Sequence, residues 1–332
     1  MRFGMFVPQG WRHDLVGIEP ARYWEAMQEV AAHADREDAP WESIWVYDHL
    51  HTVPKPSDTE PTFEAWSLMN AFAVSTSRVR LGQMCTCMGY RNPGMLAKQA
   101  ATADVISGGR VEMGIGAGWY EHEFRAYGYG FPDVKERLAR LREGVEVLHQ
   151  AFTTGRADFA GEYYAFDGAI FQPMPAQAGG IPIWVAGGGE QVTLRIAAKR
   201  ADYTNFWGSL DEFAHKSEVL RGHCERIGRD FGSITRSSNF NTVIGTDASD
   251  VERRLAAIEA RVAPELGPEV TARYLADFHA PSALVGTVDE VVAKLQAAKE
   301  LGLGYAIHYW PEAAHDRSGI ELFEQEVVPQ LR

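Results

Sequence analysis

The sequence has few cysteines, fewer basic than acidic residues, and no long apolar run. Three cysteines in 332 residues cannot form a disulfide framework. Cys85 and Cys87 have a C-x-C spacing, but the chain lacks the second cysteine pair that a zinc site would need. The 32 basic and 45 acidic residues give a net charge of −13, which repels phosphate backbones and argues against nucleic-acid binding. No segment approaches the roughly 18 apolar residues of a membrane span, and no signal-peptide pattern is visible. We therefore expect a soluble, cytoplasmic protein with reduced thiols and no membrane partner.

Hydrophobic residues make up 45% of the chain, which is enough to bury a large core. Short apolar runs alternate with amphipathic stretches along the whole length. The runs typical of strands are Arg2–Pro8, Ser43–Tyr47, Arg78–Thr86, Val111–Ile115, Ile181–Ala186, Asp202–Phe206, Ile234–Ile244 and Tyr305–Tyr309. The predicted helices are Ala21–Arg36, Pro93–Ile106, Asp133–Phe152, Glu190–Arg200, Asp211–Ile227, Asp250–Val262, Val288–Leu301 and Ile320–Leu331. Since parallel strands need crossover helices, this alternation predicts an α/β fold, a (β/α)8 TIM barrel, in one domain over residues 1–332.

Two segments do not fit an undecorated barrel. Thr154–Gly180 is rich in Gly, Phe, Tyr and Pro and is predicted to be a β-type insertion. Ala263–Gly286 contains three prolines and is predicted to be an irregular insertion before the last helix and strand.

In such a barrel the functional residues follow the strands, at their carboxyl ends. Asp48 and His49 follow the second predicted strand, where a carboxylate beside an imidazole can move a proton near neutral pH. A capping Asp with a solvated His is the structural alternative, and the spacing alone does not decide between them.

Two glycine-rich segments also follow strands. The alternating glycines of 114–118 would let the backbone approach a ligand closely, although plain turns have the same composition. Gly187, Gly188 and Gly189 open a predicted helix, where amide N–H groups and the helix dipole favour a phosphate. We favour a functional role for these three glycines over a flexible turn.

The segment Gln83–Pro93 carries polarizable sulfurs and a threonine hydroxyl at the end of the third predicted strand. Such groups suit the face of a flat aromatic ring, although a Met/Cys core patch is the simpler alternative. Asn92 and Pro93 are typical of a helix start.

Taken together, these segments resemble the luciferase-like monooxygenase superfamily, and specifically its branch of oxidoreductases dependent on the deazaflavin coenzyme F420. The likeness covers nearly the whole chain. It is carried by MRFGMFVPQ, WVYDH, FEAWSLM, TSRVRLGQMCTCMGYRNPGMLAKQAATADVISGGRVEMGIGAGWYEHE, ERLARLREGVEVL, GGIPIWVAGGGEQVTLRIAAKRADYTNF and GTVDEVVAKLQAAKELG.

The resemblance implies a TIM barrel, often dimeric, that binds F420 or FMN at its carboxyl face. It implies that the ring lies against the segment 84–86, where family members often hold a non-prolyl cis peptide, and that His49 gives or takes a proton beside Asp48. The residues assigned to the cofactor are Met84, Cys85, Thr86, Asn92, Gly116, Ala117, Gly118, Trp119, Tyr120, Ala186, Gly187, Gly188, Gly189 and Glu190. No metal is expected.

The chain departs from the sugar-6-phosphate dehydrogenases of this family at one informative position. Those enzymes place an acid directly after the GxGxG loop, where this chain has Trp119, and no cluster of basic residues for a substrate phosphate is evident. Both differences favour a neutral or apolar, non-phosphorylated substrate.

We therefore predict an F420-dependent oxidoreductase that transfers a hydride between the deazaflavin and a small organic substrate, and that forms a homodimer. The nearest alternative is an FMN-dependent two-component monooxygenase of the same fold, which would need a separate flavin reductase. A metal-dependent hydrolase using His49, His51 and His308, and a non-catalytic flavin-binding protein, are the other hypotheses.

Overall fold

The computed structural model describes residues 1–206 and 208–331 of the chain. Its strands are β1 (Arg2–Phe6), β2 (Trp41–Val46), β3 (Arg80–Gln83), β4 (Thr86–Cys87), β5 (Val111–Gly116), β6 (Arg156–Ala160), β7 (Ala165–Ile170), β8 (Ile183–Ala186), β9 (Tyr203–Asn205), β10 (Thr235–Gly245), β11 (Leu284–Thr287) and β12 (Tyr305–Tyr309).

The helices follow the strands in sequence. They are α1 (Tyr23–Asp35), α2 (Ala65–Ser75), α3 (Pro93–Ser107), α4 (Glu121–Ala126), α5 (Val134–Thr154), α6 (Thr193–Arg200), α7 (Leu210–Ile227), α8 (Ala248–Leu266), α9 (Pro268–Ala276), α10 (Val288–Glu300), α11 (Ser318–Leu322) and α12 (Val328–Leu331), with a π-helical turn at Phe323–Val327. None of the described helices is long and apolar enough to cross a membrane.

The chain divides into two compact units. The first unit comprises Met1–Glu64, Trp207–Ala214 and Ser237–Arg332, and its strands pair in the order β11-β10-β12-β1-β2. The second unit comprises Ala65–Phe206 and His215–Arg236. Its strands pair in the order β3-β5-β8-β9, with β4 also beside β5, and β6 and β7 form a separate antiparallel hairpin. All pairings except that of the hairpin are parallel.

Parallel strands alternating with helices make this an α/β fold of the (β/α)8 barrel class, which confirms the predicted fold class. The strands are buried on both faces, as parallel strands covered by helices must be. All five residues of β12 are buried, and so are all six of β5.

Capping residues at the helix ends explain why the sequence predicts several helix boundaries correctly. The Asn92 side chain accepts hydrogen bonds from two amides of the first turn of α3, and Pro93 is its first residue. Gly108 ends the same helix with a φ of +71°, a conformation that glycine adopts without strain. At α10 the predicted start is confirmed by a capping box between Thr287 and Glu290.

Of the two predicted insertions, one agrees with the structure and one does not. The segment 154–180 is β-type, as predicted, because it contains the β6–β7 hairpin. The prediction of irregular structure over 263–286 was wrong. Pro264 lies inside α8 near its end, where it removes one backbone hydrogen bond, and Pro268 is the first residue of α9, where its missing N–H is not needed.

Other boundaries also moved. The helix predicted from Glu190 begins at Thr193, so the three glycines lie in a loop before it. The third predicted strand is interrupted between Gln83 and Thr86. The helix α2 was not predicted because its residues are mostly apolar and show little periodicity.

Candidate active site

In the second unit the register of the strands brings three of the predicted segments together. Cys87 of β4 pairs with Gly116 of β5, and Ile115 of β5 pairs with Val185 of β8. The carboxyl ends of these parallel strands therefore lie side by side, followed by the loops 117–120 and 187–192. This is the edge at which ligands bind in barrels of this class.

The interruption between β3 and β4 contains a cis peptide bond between Met84 and Cys85, a bond that does not precede proline. Thr86 Oγ1 donates a 2.7 Å hydrogen bond to the Gln83 side-chain oxygen. The Gln83 amide nitrogen is buried and has no hydrogen-bond partner among the residues that the structure describes. A buried donor of this kind needs an acceptor, and a ligand carbonyl or ring nitrogen would supply one.

The glycines of β5 are required by close contacts with this segment. A Cβ atom on Gly114 would lie 1.9 Å from the backbone oxygen of Gln83, and one on Gly116 would lie 2.6 Å from Cys85 Sγ. The glycine pattern read in the sequence thus serves the packing of β5 against the cis peptide. Gly116 also leaves the Cys85 side chain, which is half-buried, room at the carboxyl edge.

The loop after β5 carries the two aromatic residues assigned to the cofactor. Gly118 has a φ of +80°, Trp119 is 61% exposed, and the Trp119 and Tyr120 rings stack with centroids 5.1 Å apart. Burial, and then the nearby Glu123 carboxylate, raises the pKa of Tyr120. Glu123 is fully buried and accepts a 2.7 Å hydrogen bond from the hydroxyl of Tyr90, which holds the start of α4 in place.

The glycine loop after β8 is held at both ends and has a cation against it. The Gly187 amide donates to the backbone oxygen of Asn205 at 2.8 Å. A Cβ on Gly188 would lie 2.8 Å from Lys216 Nζ, so the lysine side chain packs directly on this glycine. Backbone amides and one ammonium group together make a suitable environment for a phosphate.

Two histidines of α7 fix the end of this loop. His223 Nε2 donates to the backbone oxygen of Glu190 at 2.7 Å, and His215 Nε2 lies 2.9 Å from the Glu190 carboxylate. Lys216, His215 and His223 were not found from the sequence. They lie on one helix about 30 residues after the loop, and no local motif marks them.

Asn92, which was also assigned to the cofactor, caps the N-terminus of α3. Its side-chain oxygen accepts hydrogen bonds from the amides of Gly94 at 2.8 Å and Met95 at 3.4 Å. The residue is exposed, so its amide NH2 group stays accessible while the oxygen caps α3.

In the first unit, Asp48 and His49 follow β2. The Gln9 side chain positions the turn before them, because it donates to the Tyr47 and Phe63 oxygens and accepts from the Tyr47 amide at 2.7 Å. Asp48 is buried and His49 is half-buried. The His49 ring stacks on the Trp11 indole with centroids 4.2 Å apart and planes within 3°.

Trp11 leads to a second group of polar residues in the same unit, which the sequence did not reveal. We call it the Arg12 cluster, and it consists of Trp11, Arg12, Tyr274, Asp277 and Tyr309. The Arg12 guanidinium donates to Asp277 at 2.7 Å and lies 5.3 and 5.2 Å from the ring centres of Tyr274 and Tyr309.

The histidines of the metal hypothesis do not form a site. His308 is fully buried among aromatic rings, its Nδ1 lies 3.0 Å from Thr242 Oγ1, and burial lowers its pKa to about 3. Over residues 1–206 and 208–331, no group of three or more His, Cys, Asp and Glu side chains is placed to hold a metal ion.

Comparison with known proteins agrees with this architecture. The sequence profile of the luciferase-like monooxygenase family matches residues 1–304. The chain is 27% identical to an F420-dependent glucose-6-phosphate dehydrogenase of Amycolatopsis mediterranei (strain U-32) over 320 residues, which cover 89% of this chain and 92% of that protein.

Two solved structures share the fold. A monooxygenase from Streptomyces bottropensis superimposes with a TM-score of 0.80 at 20% identity, over 100% of both chains. An F420-dependent secondary alcohol dehydrogenase, solved with an F420-acetone adduct, superimposes with a TM-score of 0.78 at 21% identity, over 100% of this chain and 99% of that one. The protein is an enzyme, and the chain belongs to the luciferase-like monooxygenase family.

Proposed function

We propose that this enzyme is an F420-dependent oxidoreductase that transfers a hydride between the deazaflavin and a small, non-phosphorylated organic substrate. The observation that carries the proposal is the carboxyl edge of the second unit. There the unpartnered Gln83 amide, beside the cis peptide, would bind the ring of the cofactor. The glycine loop beside Lys216 would bind its phosphate. The named activity of the Amycolatopsis relative supports F420 as the cofactor.

Each part of this edge has a role in holding the cofactor. Gln83 would donate to a ring acceptor, the segment Met84–Thr86 would support one face of the ring, and Trp119 and Tyr120 would cover the bound molecule. The residues 186–190 and Lys216 would bind the phosphate, with Glu190 fixed by His215 and His223. When bound, F420 supplies two-electron hydride chemistry, so the protein needs to orient the reactants and to supply a proton.

The proton role falls to His49 in this proposal. Histidine is the side chain that most often gives or takes a proton in catalysis, and the stacked contact with Trp11 fixes the plane of the His49 ring. The buried Asp48, which precedes it in the chain, would favour one orientation of the histidine ring.

The non-phosphorylated substrate is supported by Trp119. This large, exposed indole occupies the position that carries an acid in the sugar-6-phosphate dehydrogenases that the chain resembles. The Amycolatopsis relative is named for glucose 6-phosphate, and at 27% identity the two chains have room to differ in substrate.

The test is a two-way activity screen with the purified enzyme. Reduced F420 is mixed with a panel of small ketones, aldehydes and enones, and oxidised F420 is mixed with glucose 6-phosphate and with simple alcohols. We expect turnover with at least one non-phosphorylated compound and none with glucose 6-phosphate. Turnover with glucose 6-phosphate alone would contradict the substrate class, and turnover only with reduced FMN and oxygen would move the function to a two-component monooxygenase. The homodimer and, for that alternative, the flavin reductase partner stay predictions.

A further inference from the structure

The Arg12 cluster of the first unit contains more hydrogen-bond donors than the protein uses. Tyr274 and Tyr309 are 1% and 2% exposed and their hydroxyls lie near each other, yet neither hydroxyl makes a hydrogen bond of ordinary geometry within the described part of the chain. The same holds there for Arg12 Nε and for the indole nitrogen of Trp11. Buried donors are rarely left unsatisfied, and a cluster that holds four of them, one on the guanidinium and three on the rings around it, requires an explanation.

The charge of the cluster is stable. Burial acts to lower the pKa of Arg12, but the surrounding Tyr309, Tyr274 and Asp277 groups outweigh burial, and the pKa stands above its ordinary value. Arg12 is therefore a permanent cation, and its ion-pair partner among the described residues, Asp277, is 46% exposed and so is partly screened by solvent.

The position of the cluster connects it to the proposed chemistry. Trp11 lies between His49 and Arg12. The centroid of its ring is 4.2 Å from that of His49, on which it stacks, and 5.9 Å from Arg12 Cζ. The Tyr47 ring, 4.0 Å from that of Trp11, adds an apolar wall. A molecule held by the cluster would thus lie near the residue proposed to move the proton.

We propose that the Arg12 cluster is a subsite for a carboxylate group of the substrate, bound by Arg12, Tyr274, Tyr309 and Trp11. This inference rests on the proposed function, whose substrate class it narrows from a small, non-phosphorylated molecule to one that carries a single carboxylate.

The donor count and the charge both favour a carboxylate. A carboxylate offers about four lone-pair sites on two oxygens, which matches four donors, whereas a carbonyl oxygen offers two. A phosphate dianion brings about two negative charges to a single guanidinium that already shares its charge with Asp277, so it leaves one more uncompensated charge in this buried site than a carboxylate does.

The experiment measures binding of benzoate by isothermal titration calorimetry, with benzamide and phenyl phosphate as neutral and dianionic counterparts of the same ring. The variants are Tyr309→Phe and Tyr274→Phe, which remove only the unpartnered hydroxyls. Arg12 is left unchanged because its loss would also break the Asp277 ion pair. The matched control is Tyr305→Phe, since the Tyr305 hydroxyl is buried in the same unit but is satisfied by Ser43 Oγ at 2.6 Å.

We expect benzoate to bind wild-type enzyme more tightly than either counterpart, and each of the two variants to weaken benzoate binding about tenfold. Tyr309→Phe and Tyr274→Phe should leave Tm unchanged or raise it, because an unsatisfied hydroxyl is removed. Tyr305→Phe should lower Tm and leave benzoate affinity unchanged.

Three results would overturn the subsite: benzamide binding as tightly as benzoate, phenyl phosphate binding more tightly, or unchanged benzoate affinity in both variants. F420 affinity is measured separately on the same samples. If F420 fails to bind while benzoate behaves as expected, the proposed function falls and the carboxylate subsite stands.

Discussion

The candidate functional residues of the two units are of different chemical kinds. The second unit uses backbone: glycines, a cis peptide and loop amides at the ends of β4, β5 and β8. The first unit uses side chains, namely His49, Arg12 and the aromatic rings around them. Buried groups whose pKa values lie far from their ordinary values also belong to the first unit, among them Asp14, His308 and Glu312. A backbone site fixes the position of a ligand, whereas a side-chain site can move protons and select charge.

The strongest test of this contrast is His49→Asn. Loss of a general acid or base costs about 10²–10⁴-fold in rate, so we expect kcat to fall at least 10²-fold with the substrate that the screen identifies. F420 affinity, measured by fluorescence quenching, should be unchanged because the proposed cofactor residues belong to the second unit. His279→Asn, at an exposed histidine of the first unit, is the control. A normal kcat in His49→Asn would contradict the proton role.

The backbone character of the second unit is tested by Gly114→Ala. The new Cβ would meet the Gln83 backbone oxygen at 1.9 Å, and backbone cannot move aside cheaply. Overpacking of this kind should lower the free energy of unfolding by about 3 kcal/mol in urea denaturation. Gly222→Ala, in the helix α7 with its nearest neighbour atom 3.9 Å away, should instead raise it by roughly 0.5–1 kcal/mol. Equal effects of the two substitutions would refute the close approach.

The buried carboxyl of Asp14 in the first unit should make the free energy of unfolding depend on pH. Burial raises the pKa of Asp14 from 3.8 to about 6, so the folded state binds this proton more tightly than the unfolded state. Its contribution is present below pH 3.8 and is lost as pH rises through about 6. We expect wild-type stability relative to Asp14→Asn to fall by about 1 kcal/mol per pH unit between those values.

The difference between the two proteins isolates Asp14, because the remaining titrating groups are common to both. Urea unfolding at a series of pH values measures it, with Asp58→Asn, at an exposed position, as the matched control. A flat difference for Asp14→Asn would show that this carboxyl titrates normally.

The smallest expected effect concerns Lys216, whose side chain packs on the glycine loop. Lys216→Met should weaken F420 binding about tenfold, because a charge-assisted contact to the phosphate is lost. It should leave the affinity for the phosphate-free ring fragment of the cofactor unchanged. Lys135→Met, at an exposed position of α5, makes the same change in net charge as a control. Equal loss of both ligands in Lys216→Met would place Lys216 away from the phosphate.

The same contrast explains what the sequence could reveal. The strands, the barrel class and the glycine loops were predictable because each is encoded by neighbouring residues, such as the buried run of β12 or the glycines 187–189. The Arg12 cluster was not, because Arg12 and Asp277 are 265 residues apart and meet only in the folded chain. Pro264 and Pro268 misled the prediction since prolines at helix ends and in loops have the same local composition.

The most direct test of the central claim is an equilibrium titration of the purified protein with F420 and, separately, with FMN. Fluorescence quenching reports both ligands, and the Lys216→Met variant is titrated alongside as an internal check. The account predicts that wild-type protein binds F420 much more tightly than FMN and that Lys216→Met loses part of that affinity. Tighter binding of FMN, or no binding of either cofactor, would contradict it.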